Sequence, residues 1–321
     1  SSVCVPPAAP IEVARVEPNV LTLDYVDVLV GGETRKDCYF YKAAELVFQK
    51  HGLAANPWDH AVQFGEELIR QKFPADSGFE ATYRFTIEQA VPNQLWIVIE
   101  RPDLYTITCN GRSVASEKDA WWLDRAFGKI DLRTAAQVGE NSVTLKASPF
   151  SLYHELERAY VLGDFTLRPV ARGFVIVPGG QLRVAAEGWS KQGHPFYAHS
   201  VAYRAQFNIS APAGRYEVSL PSWLGSVARV AVNGQQVGHI FHQPWRCDVT
   251  SAIRPGSNAI EVTVLGTLKN TLGPHHGNPG LGRAWPAAFR QGPAVGPPAG
   301  DTYHTVEYGL FAPYELLHTT R

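Results

Sequence analysis

The sequence predicts an all-β chain, built as two tandem β-sandwiches with a short helical insertion in the first. Three observations carry this. A set of strands and turns occurs twice in the same order, and helical periodicity is confined to two short stretches. Turn formers are abundant, with 28 Gly and 23 Pro among 321 residues.

The repeat comes first. Tyr83-Arg84 opens one β-like run and Tyr203-Arg204 opens another. The first run leads to Leu104–Gly111 and the second to Val227–Gly234, each an alternating strand that ends in Asn-Gly. That dipeptide marks a tight hairpin, because both central residues of a type I′ turn need positive φ. Downstream, Ile130-Asp131-Leu132 precedes Val138–Leu145, as Cys247-Asp248-Val249-Thr250 precedes Pro255–Val262. Asp131/Asp248, Gly139/Gly256 and Asn141/Asn258 all share one offset of 117 residues. Duplication of one sandwich is the economical explanation.

The remaining elements follow from local pattern. Ala43–His51 has helical apolar spacing and is ended by Gly52, and Glu66–Gln71 adds a turn or two. Tyr160–Leu167 and Gly173–Val177 read as strands, with Pro178-Gly179-Gly180 as a turn. A final strand within Tyr308–Leu317 is expected to return to the second sandwich. The domains are placed at 1–172, with an N-terminal extension and the short helix, and 173–321, with a long C-terminal loop. Loops after Gly266, including Gln291–Gly300, are long enough to be functional or to clasp a neighbour.

Composition excludes several classes. A hydrophobic content of 45% supplies real cores and excludes disorder. Twenty-nine Lys and Arg against 30 Asp and Glu leave a formal charge of −1, without the concentrated positive field of a nucleic-acid binder or a polybasic membrane protein. No apolar run approaches the roughly 20 residues of a membrane span. The sequence has no Met and starts at Ser1, so it reads as a mature or excised part of something longer. Cys4, Cys38, Cys109 and Cys247 lack zinc-site spacing. A Cys4–Cys38 bridge is compatible with secretion, whereas Cys109 and Cys247 sit in strand-like surroundings that suit buried thiols.

The second repeat carries Pro195-Phe196-Tyr197, Tyr203-Arg204, Val230–Gly234, Gly238, Asp248-Val249-Thr250 and Gly256–Val262. With these motifs both repeats resemble the jelly-roll, galactose-binding-like "sugar-binding" domain of family 2 glycoside hydrolases. The order Leu162–Phe165 before Gly193–Tyr197 also resembles the β-sandwich region of family 106 α-L-rhamnosidases. The resemblance covers roughly residues 75–265. In such enzymes acid and base usually reside on a barrel, and no barrel pattern of alternating strands and helices occurs here. The resemblance therefore implies an accessory module, covalently attached to a catalytic domain of a larger hydrolase. It also implies a secreted, extracellular or periplasmic setting, most naturally bacterial.

Sugar recognition needs flat apolar faces for the C–H side of a pyranose and planar polar groups for its hydroxyls. Aromatics make up 11% of the chain, with 8 Trp. Trp121 and Trp122 follow the first Asn-Gly hairpin. Adjacent strand residues point to opposite faces, so one packs inward and the other is free for ligand. A second cluster comprises Trp189, His194, Tyr197, Trp223, Trp245 and Arg246, of which Tyr197, like Phe196, is assigned to structure. His275 and His276, in a Gly/Pro loop, suit contact with sugar hydroxyls, acid/base chemistry or loop stabilisation; a metal there lacks a third ligand. No cofactor is expected beyond, at most, a structural calcium on loop oxygens of Asp119, Asp124 or Asp301.

Hydrolysis would need two carboxylates about 5 to 9.5 Å apart. Glu155, Glu157 and Asp164 lie near one another, and Glu100-Arg101-Pro102-Asp103 reads as a salt-bridged strand exit; none sits in a diagnostic motif. No catalytic residue is assigned. The leading expectation is a non-catalytic module that binds or orients polysaccharide or oligosaccharide. The alternatives are a catalytic, rhamnosidase-like fragment with its site at the sandwich interface, and a structural spacer.

Overall fold

The computed structural model describes residues 2–60, 65–210 and 212–320, with the His60 side chain left out. Strands dominate, and they gather into two units that interleave along the chain. The first unit holds residues 20–179 and 273–304; the second holds 1–19, 180–272 and 305–321. The N-terminal segment and the 273–304 loop each join the unit that contiguous sequence would not give them.

In the first unit, one sheet runs in the order Trp121–Trp122, Asp124–Asp131, Leu95–Glu100, Ala159–Gly163, Asn19–Leu23. The other runs Phe165–Pro169, Phe174–Pro178, Phe79–Ile87, Gly139–Ala147, Thr106–Cys109, Arg112–Val114. A hairpin of Tyr25–Val30 and Glu33–Tyr39 joins this sheet through Phe79–Ile87. Phe79–Ile87 alternates strictly, with Phe79, Ala81, Tyr83, Phe85 and Ile87 all buried. That is the period-2 pattern of a strand with one face on a core.

The second unit pairs a sheet Ser2–Val5, Glu315–Thr319, Arg215–Ser219, Arg246–Asp248 with a sheet Glu12–Arg15, Ser200–Ile209, Gly256–Leu265, Val227–Val232, Gln235–Ile240. One hydrophobic cluster takes Val218 and Leu316 from the first of these and Val230, Ile260 and Val262 from the second. This is a β-sandwich by construction. The expected last strand is two: Gly309–Leu310, paired with Trp223–Leu224, and Glu315–Thr319.

The duplicated sequence features make duplicated hydrogen bonds. Asn110-Gly111 has φ of 50° and 80°, and Asn233-Gly234 has 52° and 82°, as the tight turn requires. Beside each tip lies a fully buried asparagine. Asn141 Nδ2 donates to the Gln137 and Gly139 carbonyls at 2.8 and 3.1 Å, and its Oδ1 accepts the Gln137 N–H at 2.8 Å and the Asn110 amide at 2.9 Å. Asn258 Nδ2 donates to the Arg254 and Gly256 carbonyls at 2.8 and 3.2 Å, and its Oδ1 accepts the Arg254 N–H at 3.0 Å and the Asn233 amide at 3.1 Å. A buried amide is tolerated because its donors and acceptors are all engaged. Asp131 and Asp248 each accept the N–H two residues on, from Arg133 and Thr250.

The helix spans Phe40–Lys50, three residues longer at its start than the apolar spacing predicts. It stops where expected: Gly52 has φ of 82°, its N–H meets the Gln49 carbonyl, and the Leu53 N–H meets that of Phe48. This is a Schellman cap. The second helical stretch is the single turn Glu66–Ile69.

One expectation about special chemistry is revised. All four cysteines are free thiols, Cys4 exposed and Cys38, Cys109 and Cys247 buried, so no Cys4–Cys38 bridge forms. Among the described residues, no three His, Cys, Asp or Glu side chains gather as metal ligands. No helix among them is long and apolar enough to cross a membrane.

Candidate functional site

The helix Phe40–Lys50 presents Phe40, Tyr41 and Ala44 to a cavity of about 280 Å³ in the first unit. Three other segments complete it. Trp58 and Asp59 come from the turn Pro57–His60, Glu155 to Arg158 from the stretch before strand Ala159–Gly163, and Trp285 and Phe289 from the 273–304 loop.

Each side chain is held by a specific contact. The Asn56 carboxamide oxygen accepts the Trp58 N–H at 3.0 Å, the turn such residues favour. The Trp58 indole N–H donates to the Leu152 carbonyl at 2.9 Å. Tyr41 donates its hydroxyl proton to Asp59 at 2.9 Å and accepts from Arg290 Nε at 3.1 Å. The Arg158 guanidinium lies 4.8 Å from the Phe40 ring centre and 4.5 Å from that of Phe289, a cation in the corner of two rings that meet edge to face. Its Nη2 is 3.6 Å from a Glu157 oxygen. Trp285, by contrast, is 52% exposed and stands at the rim.

Three of the glutamates resist ionisation. Burial, reinforced by the charges of Glu100 and Glu157, pushes Glu155 up to about 8, against the pull of a hydrogen bond from Asn56. Glu100, at the end of strand Leu95–Glu100, is pushed up to about 7 by burial and then by Glu157, with Arg158 and Arg101 pulling the other way. Burial also raises Glu157, and Arg158 opposes it. Aromatic faces converging with partly desolvated carboxyl groups can stack a ring and bind its hydroxyls.

A second, larger cavity of about 640 Å³ opens at Trp121 and includes Arg101, Asp103, Ser116, Asp119 and Arg125. Its chemistry is more self-contained. Arg101 makes two bonds to Asp103, at 3.0 and 2.9 Å, which is the salt-bridged strand exit expected of this run.

The residues singled out in sequence fall in four places. Trp121 is 50% exposed at the larger cavity. Its neighbour Trp122 is half-buried, 5.3 Å from the Tyr160 ring. Trp223 and Trp245 meet edge to face at 5.4 Å and pack, half-buried, on the second unit's core; Arg246 beside them is exposed.

The other three are interior and are corrected here. Trp189 is 1% exposed and donates its indole N–H to Tyr203 at 2.8 Å, so its ring fills the second unit's core and offers no face to a ligand. His276 lies with its Nε2 2.7 Å from Asp24 Oδ2, while Tyr303 donates to Asp24 Oδ1 at 2.9 Å. A carboxylate buried this deeply needs such partners, which is why the loop turns the histidine inward. His275 is buried too, and its carbonyl accepts the His304 N–H at 2.8 Å. Neither imidazole reaches a surface sugar. The smaller cavity's Phe40, Tyr41, Trp58, Arg158, Trp285 and Phe289 were not singled out in sequence. A concentration of aromatic residues near position 40 and another at 285–289 is the signal that was there to find.

No family model matches the chain. An alignment of 92 positions, covering 27% of the chain, is 32% identical to a Formosa agariphila protein named "Putative beta-glucuronidase", of which it covers 8%. A rhamnosidase structure from a Novosphingobium species is similar over 77% of this chain and 23% of its own, at 18% identity and a TM-score of 0.30. The Streptomyces avermitilis alpha-L-rhamnosidase is similar over 60% and 22%, at 18% identity and 0.26. A Dictyoglomus thermophilum beta-D-mannosidase is similar over 77% and 31%, at 10% identity and 0.28. The chain thus spans less than a third of the length of each of these four proteins. The proteins to which the chain is similar are named as glycosidases.

Proposed function

We propose that the chain is a carbohydrate-contacting accessory module of a larger, exported glycoside hydrolase, and that the cavity beneath Trp285 is a saccharide site. One observation carries the reading: aromatic rings from three separate segments and the carboxyl groups of Asp59, Glu155 and Glu157 converge on one cavity. Its volume of about 280 Å³ is near the lower end of small-molecule sites, which run from roughly 300 Å³ upward. The exposed Trp121 offers a second contact for an extended polysaccharide. The test is titration calorimetry of the 321-residue chain against plant and bacterial oligosaccharides, repeated with Trp285→Ala. Loss of a stacking face is expected to weaken binding at least tenfold, on the order of 1.4 kcal/mol. No binding to any glycan leaves the spacer reading in its place.

A second reading, cleavage, is favoured by one feature. Glu155 keeps its proton near neutrality beside other carboxyl groups, the division of roles an acid and its partner need. Reducing-sugar release by the purified chain, abolished in Glu155→Gln, would replace binding by catalysis.

A further inference from the structure

Resting on the saccharide reading of the cavity, we infer that its preferred ligand is a cationic sugar, an amino sugar carrying a free ammonium group, bound with that group toward Glu155 and Asp59. The argument begins with charge. Four carboxyl groups border the cavity, from Glu45, Asp59, Glu155 and Glu157, and Arg158 is the one basic side chain among the described lining residues.

The local partners do not cancel this excess. Glu45 is engaged by Lys42 at 2.9 Å and Glu157 by Arg158 at 3.6 Å. Among the described residues, Asp59 and Glu155 have no ion pair within 4 Å. Asp59 accepts only the neutral Tyr41 hydroxyl, behind which Arg290 sits, and Glu155 accepts the neutral Asn56 amide. Two carboxyl groups held by uncharged donors beside aromatic faces form the setting that binds an ammonium ion, by charge and by the ring quadrupole together. Arg158 shows the second part within this structure, since its cation already lies over the Phe40 and Phe289 rings. A neutral hexose would leave the carboxyl groups crowded as they are. An ammonium group would offset the charges of Glu100 and Glu157, which add to burial in raising Glu155.

The experiment compares three trisaccharides on the 321-residue chain at pH 7: glucosamine, N-acetylglucosamine and glucose. The glucosamine trisaccharide is expected to bind roughly tenfold more tightly than either neutral one, a desolvated charge pair being worth that much. The preference should shrink severalfold in 0.5 M salt, a readout that needs no variant. In Glu155→Gln, checked for a native circular dichroism spectrum, it should fall to within about twofold. Equal or tighter binding of the neutral trisaccharides, still lost in Trp285→Ala, overturns the cationic preference and leaves the saccharide site standing. No binding of any of the three overturns both.

Discussion

Glu155 ties stability to pH. Its folded value of about 8 lies above the usual 4.5, so between those limits the folded chain keeps a proton that the unfolded chain has released. Stability from this group is therefore fully present in mild acid and falls as pH rises toward 8. His194 acts in the opposite sense. Burial pushes it down to about 4 from 6.5, and among the described residues its Nε2 has no hydrogen-bond partner, so the neutral ring is favoured. Its contribution is lost as pH falls from 6.5 through 4, where the unfolded chain takes up the proton first. Urea midpoints measured from pH 4 to 9 should decline at both ends. Glu155→Gln should make the decline toward pH 8 shallower, with Glu100 and Glu157 keeping part of it; an unchanged decline would show that Glu155 is not among the titrating groups.

At the scale of elements, each hairpin tip is bolted to the neighbouring strand by a buried amide. Asn141→Ala would strand the Asn110 amide and the Gln137 N–H, and Asn258→Ala would do the same to Asn233 and Arg254. Each substitution should cost about 2–4 kcal/mol, measured by denaturant unfolding, since several buried groups lose partners together. A cost below 1 kcal/mol would mean that water replaces the amide at little expense. These asparagines stood out in sequence because Asn110-Gly111 and Asn141 recur as Asn233-Gly234 and Asn258, whereas their bonds to the tips, 31 and 25 residues away, came from the fold. The helix stop at Gly52 was legible because its cap bonds are local. Its start was not, because Phe40 and Tyr41 are fixed by packing against distant rings and not by a cap; no side-chain cap bond forms at Tyr39.

At the scale of the molecule, the second unit is closed by the chain's own ends. Ser2–Val5 pairs with Glu315–Thr319, and Glu12–Arg15 covers the edge of Ser200–Ile209. Removing residues 1–16 uncovers two sheet edges, and exposed edges pair with other chains. The truncated chain should melt several degrees lower and self-associate, read by thermal melts and light scattering. An unaltered melting point in a monodisperse sample would show the N-terminal strands to be ornamental.

Sequence alone determined the all-β class, the duplicated sandwich and its turn chemistry, since alternation and positive-φ dipeptides act over a few residues. It could not rank the tryptophans: Trp189 and Trp121 look alike in sequence, yet one is interior and the other half exposed. Only the tertiary structure joined Phe40, Trp58, Glu155 and Trp285 around one cavity, because side chains that far apart along the chain meet only when the core has packed. The same packing raised the carboxyl groups there, through burial and mutual repulsion that no local pattern encodes.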